Sequence, residues 1–413
     1  MGQCIVEPPI SWLMTAALSR PKLISLAAGF TDNASLPVTE TRTLLDSILH
    51  SNKTGQPALQ YGSTAGDSKL RQLTAEHLQK LDGKRGKNYA TGRTLITGGS
   101  QQLLYMTLEA LCDTGDIILV EDPTYFVFLS ILQSRSLRAR GVRLERDGLD
   151  LAHLEKVLER LKKSGQLRRV KALYLVSYFQ NPTGVTTSFK KKSAALKLLK
   201  KFERAAGHPI YLLEDAAYRE LRFTGQDVPS ALAAGGAAER VIYTGTYTKP
   251  FATGARVGFG ILPEPLFTAV KRIKGNHDFG TSNLLQQLVA RALATEIYDR
   301  HVVRLQKRYA QKARVMKSAL EKHFPAAIEW WESEGGLYFW ARLPKEISAG
   351  VKSKVFSTAL KNDVLYVPGE LCYADDPSRA KPDNEMRISF GSASEENIRK
   401  GIARLGKVLE KFV

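Results

Sequence analysis

A lysine between hydroxyl-bearing residues, followed by an arginine, is the arrangement in this chain that could do covalent chemistry. Lys249 lies in Thr246-Tyr247-Thr248-Lys249-Pro250, and Arg256 follows after the small residues Ala252, Gly254 and Ala255. Burial or a neighbouring cation lowers a lysine's pKa, and the free amine then condenses with an aldehyde to a Schiff base. Thr246, Thr248 and the Arg256 guanidinium could cradle a phosphate beside it. Small residues would let the backbone approach a ligand closely. The chemistry this set allows is capture of a phosphorylated aldehyde. Taken alone, the stretch reads more simply as a surface loop, because the chain carries 60 Lys and Arg residues.

Other residues of the right types recur along the chain. Asp215 ends an apolar run, where a lone carboxylate is costly unless paired. A protonated ring nitrogen would be such a partner, and so would a helix cap or a loop cation. Tyr218, three residues on, could share its face. Asn181 stands in Asn181-Pro182-Thr183-Gly184, a turn sequence whose amide could also donate to a ligand oxygen. Gly98-Gly99-Ser100-Gln101 joins an apolar run to a helical pattern, and amides at a helix start bind anions. Taken alone, those four residues read more simply as a plain helix cap. Tyr125, in Asp122-Pro123-Thr124-Tyr125, opens a helix and could stack on a ring or join the core. Arg387 lies inside the apolar run Met386 to Phe390 and needs an anion, either a substrate carboxylate or a structural acid.

The elements that must position these residues alternate. From Thr94 to Leu262 the apolar runs Leu95–Thr97, Ile117–Val120, Val170–Val176, Ile210–Leu213, Val241–Tyr243 and Val257–Leu262 are mostly separated by helical patterns. Short continuous apolar strands between helices predict an α/β fold, with a mostly parallel sheet covered on both faces. Ligands of such sheets sit beyond the carboxyl ends of the strands. Ser100, Asp122, Asn181, Asp215 and the Thr246–Lys249 stretch all fall at such ends. Ser25 to Phe30 reads as a short strand into a turn, and Val38–His50 and Asp67–Leu81 as helices. After a long helical region, Ser282–His323, four short runs from Ile328 to Phe390 and a final helix, Glu395–Phe412, predict a smaller α+β unit. The expected organisation is an N-terminal arm and segment over 1–50 packing with the small domain, a large ligand-binding domain over 51–290, and a small C-terminal domain over 291–413.

Composition narrows the function classes. A chain of 413 residues, 43% hydrophobic, buries a large core and fits two domains. No apolar run reaches the roughly 18 residues of a membrane span, and the N-terminus lacks a secretory pattern. Gly2 follows Met1, but Val6 stands where myristoylation needs Ser or Thr. Cys4, Cys112 and Cys372 match neither a zinc spacing nor a disulfide framework, so no metal is expected and the cytoplasm is the expected compartment. The net charge of +19 is spread over helical faces without interleaved aromatics, which speaks for a solvated surface and anionic substrates rather than nucleic acid.

In order along the chain, Tyr61-Gly62, Gly98-Gly99-Ser100-Gln101, Asp122-Pro123-Thr124-Tyr125, Asn181-Pro182-Thr183-Gly184, Asp215-Ala216-Ala217-Tyr218, Thr246 to Arg256 and Arg387 resemble the fold-type I pyridoxal-phosphate aminotransferases, class I/II. The closest likeness is to the group of 2-aminoadipate and kynurenine aminotransferases. Glu334-Gly335-Gly336-Leu337-Tyr338-Phe339-Trp340 resembles that group's small-domain strand, and Ile24 to Phe30 its N-terminal segment. The likeness runs from about Ile24 to the C-terminus.

The resemblance implies pyridoxal 5'-phosphate as cofactor, with Lys249 forming the Schiff base (the internal aldimine) and shuttling the proton. Asp215 would pair the ring nitrogen, Asn181 and Tyr218 would contact the ring oxygen, and Tyr125 would stack on the ring. Ser100, Gln101, Thr246, Thr248 and Arg256 would hold the phosphate. Arg387, with Asn181 and Gly29, would bind the substrate. Tyr61 would reach the phosphate of a second subunit, so a homodimer is expected. The implied reaction moves the amino group of an L-amino acid to a 2-oxo acid, 2-oxoglutarate being the expected acceptor, by ping-pong kinetics. Another reaction of the same cofactor, such as β-elimination or decarboxylation, uses the same residues. A ligand-sensing or DNA-binding role is disfavoured, because the regulators of this group carry a winged helix for which there is no room before Ile24. Neither a nucleic-acid partner nor a membrane is expected. Trp12, Arg20 and Phe30 are expected to line the side-chain pocket. Thr248 stands before the lysine where serine is commoner, and keeps the hydroxyl.

Overall fold

The computed structural model describes residues 11–13, 15 and 19–413; Cys4 and the Gly2–Val6 stretch lie outside the described residues. A two-residue strand β1 (Ile24–Ser25) is followed by helices α1 (Val38–Leu49), α2 (Asn52–Leu59) and α3 (Ser68–Asp82). The main sheet contains β2 (Thr94–Thr97), β3 (Ile117–Asp122), β4 (Arg138–Glu145), β5 (Gly148–Leu149), β6 (Val170–Val176), β7 (Tyr211–Asp215), β8 (Val241–Thr246) and β9 (Gly258–Ile261). Their spatial order is β2-β9-β8-β7-β6-β3-β4-β5. Strands β4, β3, β6, β7 and β8 run parallel, while β9 is antiparallel to both its neighbours and β5 to β4.

The helices around this sheet are α4 (Ser100–Leu111), α5 (Phe126–Ser134), α6 (Leu151–Lys163), α7 (Phe189–Ala206), α8 (Ala237–Arg240) and α9 (Leu266–His277). Parallel strands covered on both faces read as unbroken apolar runs, and β6, Val-Lys-Ala-Leu-Tyr-Leu-Val, is buried at every residue but Lys171. Helix starts follow the usual caps. The Asp67 side chain accepts from Leu70 N and Ser188 from Lys191 N. Gly83 and Gly207 end α3 and α7 in the left-handed region that glycine tolerates.

Helices α10 (Asn283–Ala294) and α11 (Ile297–His323) lead to a second sheet. It orders β10 (Glu329–Trp331), β11 (Tyr338–Arg342), β14 (Glu385–Ser389) and β13 (Val367–Pro368), all antiparallel. Between them lie α12 (Lys354–Lys361) and β12 (Val364–Leu365), which pairs in parallel with β1; α13 (Glu395–Leu409) closes the chain.

Three expectations differ from what is found. The strand over Ser25 to Phe30 is confined to Ile24–Ser25, and beyond it the carbonyl of Ala27 is taken by the Arg387 guanidinium. The helical region after Ser282 breaks at Thr295, whose hydroxyl donates to the carbonyls of Arg291 and Ala292 and so competes with helix continuation. Strand β4 escapes the pattern of apolar runs because only two-residue β5 lies beyond it; Arg138 and Arg140 on one face and Arg143 on the other keep contact with solvent.

Candidate active site

The carboxyl ends of β3, β6, β7 and β8 open on one edge of the main sheet, and the residues that follow them meet there. Asp215 is the last residue of β7 and is buried. Its carboxylate accepts from Tyr174 OH at 2.9 Å and from the Ala217 amide at 3.1 Å. Burial raises its pKa to about 6 in spite of those donors. Glu214, one residue earlier, points to the opposite face, as strand alternation requires. There it meets the fully buried Lys192 amine at 3.0 Å.

Lys249 follows β8. Its amine donates to the carbonyl of Gly29 at 2.6 Å and lies 5.9 Å from the centre of the Tyr218 ring. Burial first, then the positive charges of Arg256 and Arg387, lower its pKa to about 8. Among the described residues none of Lys249, Asp215, Arg256 and Arg387 has an oppositely charged side chain within 4.0 Å.

Opposite the lysine loop, α4 begins at Ser100. Gly99 holds a φ of 96°, and no side chain caps the first turn of the helix. A β-carbon on Gly99 would stand 2.8 Å from Arg256 Nη2, and one on Gly258 only 2.5 Å from the Gly99 carbonyl carbon. Glycine at both positions lets strand, helix start and guanidinium converge. Arg256 has a φ of 50°, a conformation rare outside glycine. Its Nη1 donates to the Thr248 hydroxyl at 3.4 Å, and the Thr246 hydroxyl accepts from the Thr248 amide at 3.1 Å. An uncapped helix N-terminus, an unpaired arginine and two hydroxyls form a site for a dianion.

Asn181 and Arg387 complete the edge. Asn181 Oδ1 accepts from Arg387 Nη1 at 2.6 Å, and Asn181 Nδ2 donates to Tyr218 OH at 3.4 Å. Arg387 is 1% exposed and its Nε has no hydrogen-bond partner. Tyr125 precedes α5 and faces the same cavity, which Ser100, Gln101, Asn181, Asp215, Tyr218, Thr246, Thr248, Lys249 and Arg256 also line.

A match to the model of the aminotransferase class I and II family extends over residues 21–405. The chain belongs to the class I and II aminotransferases. It is 32% identical to aromatic-amino-acid aminotransferase 1 of Thermococcus litoralis, over 94% of this chain and 88% of that protein. It is 31% identical to the 2-aminoadipate transaminase of Thermus thermophilus, over 95% and 91%. The solved alpha-aminoadipate aminotransferase LysN of Thermus thermophilus, in complex with N-(5'-phosphopyridoxyl)-L-leucine, superposes with a TM-score of 0.84 at 30% identity, covering 99% of this chain and 96% of that one. The chain is thus a fold-type I aminotransferase of the 2-aminoadipate and kynurenine group, an enzyme of amino-group transfer. The family implies pyridoxal phosphate.

The aminotransferase's cavity fits such a cofactor by its chemistry: a dianion site, a lysine amine of lowered pKa, and an acid without a cation. No helix among the described residues is long and apolar enough to cross a membrane, and they hold no cluster of metal-ligating side chains.

Some sequence-derived positions lie apart from the cavity. Trp12 packs edge-on against Phe356 at 6.1 Å and Arg20 donates to the Leu360 carbonyl, so both lie against α12 and neither lines the cavity. Phe30 is 51% exposed, beside Gly29. Tyr61 is 83% exposed and rests edge-on against Phe279, outside its own chain's cavity.

Tyr174 and Tyr338 were not singled out from sequence, and both touch the site. Tyr174 had a signal, a hydroxyl inside a strand buried on both faces, which must find a partner. Tyr338 sits directly after Gly335-Gly336-Leu337, a segment already matched to the family.

Proposed function

We propose that the cavity binds pyridoxal 5'-phosphate and that the enzyme passes the amino group of an L-amino acid to a 2-oxo acid, 2-oxoglutarate by preference, in two half-reactions. The observation that carries this is the set of unpaired groups lining one cavity, a lysine with a pKa of about 8, an acid at about 6 and Arg256, with Arg387 bonded to the Asn181 of that lining. When bound, the cofactor supplies an electrophilic carbonyl and an electron-withdrawing ring. Ser100, Gln101, Thr246, Thr248 and Arg256 would hold its phosphate, Tyr125 would cover the ring, and Asn181 and Tyr218 would donate to the ring oxygen. Asp215 would keep a proton on the ring nitrogen, supplying the anion in a buried site.

Arg387 would grip the substrate α-carboxylate through the nitrogen that now lacks a partner. That grip orients the α-C–H bond towards Lys249. Near neutral pH part of the Lys249 population is uncharged, because its pKa has fallen to about 8; Nζ can then take the α-proton and return it. The Gly29 carbonyl, 2.6 Å from Nζ, holds the amine in place between transfers. Exposed Tyr61 suits a homodimer in which it reaches the phosphate site of a second copy.

Replacement of Lys249 by Ala tests the reading. The variant should show no visible absorption band after incubation with pyridoxal phosphate and no amino transfer. A Lys249→Ala protein that keeps both the band and turnover refutes it. A panel of aromatic, branched and acidic amino acids with 2-oxoglutarate then ranks the donors.

A further inference from the structure

Tyr338 is buried at the start of β11, two residues beyond the φ +70° turn at Gly336. Its hydroxyl lies 3.0 Å from that of Tyr218, with the two rings edge to face at 5.7 Å. Its ring lies 4.3 Å from the guanidinium carbon of Arg387. The sheet register explains this contact: Trp340 stands opposite Arg387 and Tyr338 opposite Ser389, so Tyr338 is Arg387's diagonal neighbour across β11 and β14. With Asn181 the contacts close into a ring of four side chains. Tyr338 meets Tyr218, Tyr218 meets Asn181 at 3.4 Å, Asn181 meets Arg387 at 2.6 Å, and Arg387 lies on Tyr338. The same hydroxyl fills the space beside Gly29, where a β-carbon would stand 2.5 Å from it.

We propose that Tyr338 is a positioning residue that ties the carboxylate-binding arginine to the hydroxyl facing the cofactor's ring oxygen. This rests on the cofactor reading above. The aromatic face holds the plane of the Arg387 guanidinium by a buried cation–π contact. The Tyr338 hydroxyl sets the direction of the Tyr218 proton. Two hydroxyls at 3.0 Å share one hydrogen between them. If Tyr218 donates to the ring oxygen, its own oxygen must accept from Tyr338. A hydroxyl that accepts one hydrogen bond donates a stronger one. Tyr338 therefore strengthens the donor that stabilises negative charge on the ring oxygen. One side chain thus serves two groups by two separable parts, its ring and its hydroxyl.

The parts are separated by two variants, Tyr338→Phe and Tyr338→Leu, each loaded with pyridoxal phosphate and compared with the wild type. The first measurement is the pH midpoint of the visible absorption of the resting protein, which needs no turnover. A donor to the ring oxygen favours the deprotonated chromophore, so weakening it raises the midpoint. Both variants should raise it by a few tenths of a pH unit. The second measurement is KM for the amino acid. Tyr338→Phe keeps the ring and should leave KM near the wild-type value. Tyr338→Leu should raise KM several-fold to about tenfold, the range of a desolvated cation–π contact.

An unmoved midpoint in Tyr338→Phe overturns the hydroxyl's part. A KM raised equally by Phe and Leu overturns the ring's part and points to direct contact between hydroxyl and substrate. Failure of the wild-type protein to take up pyridoxal phosphate at all would be a failure of the cofactor reading, and is distinguishable because no visible band then exists to titrate.

Discussion

Replacing Asp215 by Asn should stabilise the protein stripped of cofactor while crippling the reaction. In the folded chain the Asp215 carboxyl stands at about 6, against 3.8 for an ordinary aspartate, chiefly because it is buried. That rise corresponds to roughly 3 kcal/mol, since each pKa unit is worth about 1.4 kcal/mol. The sign follows from proton binding. Between pH 3.8 and about 6 the folded chain binds more protons at this site than the unfolded chain, so stability falls as pH rises through that window. The full cost is present above it. Asparagine has the same shape, can still accept from the Ala217 amide, and carries no charge to desolvate. In a chain of this length roughly 3 kcal/mol appears as a rise of roughly 3 °C in melting temperature. The assay is thermal unfolding of stripped wild type and Asp215→Asn at pH 8 and pH 4. The variant should melt higher at pH 8, and the gap should close by pH 4. The first half-reaction of the loaded variant should slow by about 10²- to 10⁴-fold, the cost of deleting one member of a buried ion pair. A variant no more stable than wild type at pH 8, or one equally stabilised at pH 4, would refute the claim that an unpaired carboxylate strains the empty site.

Two further substitutions probe the other groups. Gly29→Ala drives a β-carbon to 2.5 Å from the Tyr338 hydroxyl; the expected cost of about 1–3 kcal/mol displaces the carbonyl that holds Lys249 and lowers kcat/KM about tenfold. Adding Tyr338→Phe removes the colliding atom and leaves the next at an ordinary 3.6 Å, so the double variant should recover much of that loss, and a double variant as slow as Gly29→Ala contradicts the steric account. Arg387→Lys retains the charge but loses the planar fork, and KM for the amino acid should rise about 10²-fold with a smaller change in kcat; equal losses in kcat with KM unmoved would place the arginine's role elsewhere.

What could be read from sequence was what is local. Val170–Val176 is a strand from end to end as expected, because a strand covered on both faces has no polar alternation to blur its limits. Strand β4, with Arg138 and Arg140 on one face and Arg143 on the other, all in contact with solvent, carries no such run and was not legible. The site's order along the chain was legible, since Ser100, Asn181, Asp215 and Lys249 sit at or just past strand ends, while Arg387 stands out as a cation inside apolar β14. The site's cross-links were not. Tyr174 to Asp215 spans 41 residues and Tyr218 to Tyr338 spans 120, and nothing near either tyrosine names its partner. The expectation for Trp12 and Arg20 failed for a related reason. Nearness in sequence to Phe30 suggested the pocket, whereas packing on Phe356 and the Leu360 carbonyl decides where the arm lies.

The strongest pointer to a ligand is a comparison among buried cations that no sequence displays. Lys192 is held by Glu214, Arg219 by Asp82, Lys274 by Asp278 and Lys312 by Asp32, with nitrogen–oxygen distances of 3.0, 2.7, 2.6 and 3.2 Å. Among the described residues Arg387 is the buried lysine or arginine without such a carboxylate. Desolvating a guanidinium and leaving it unpaired is unfavourable, and a fold that pairs four buried cations has no general inability to pair a fifth. The exception is near enough to Lys249 to depress its pKa, and the acid of the same site, Asp215, also lacks a cation. Opposite charges that could neutralise one another are instead held apart around one cavity. A partner that completes all of them must bring a carboxylate to Arg387, a cationic nitrogen to Asp215 and a carbonyl to Lys249. An amino acid seated against a phosphorylated pyridine aldehyde has that distribution of charge.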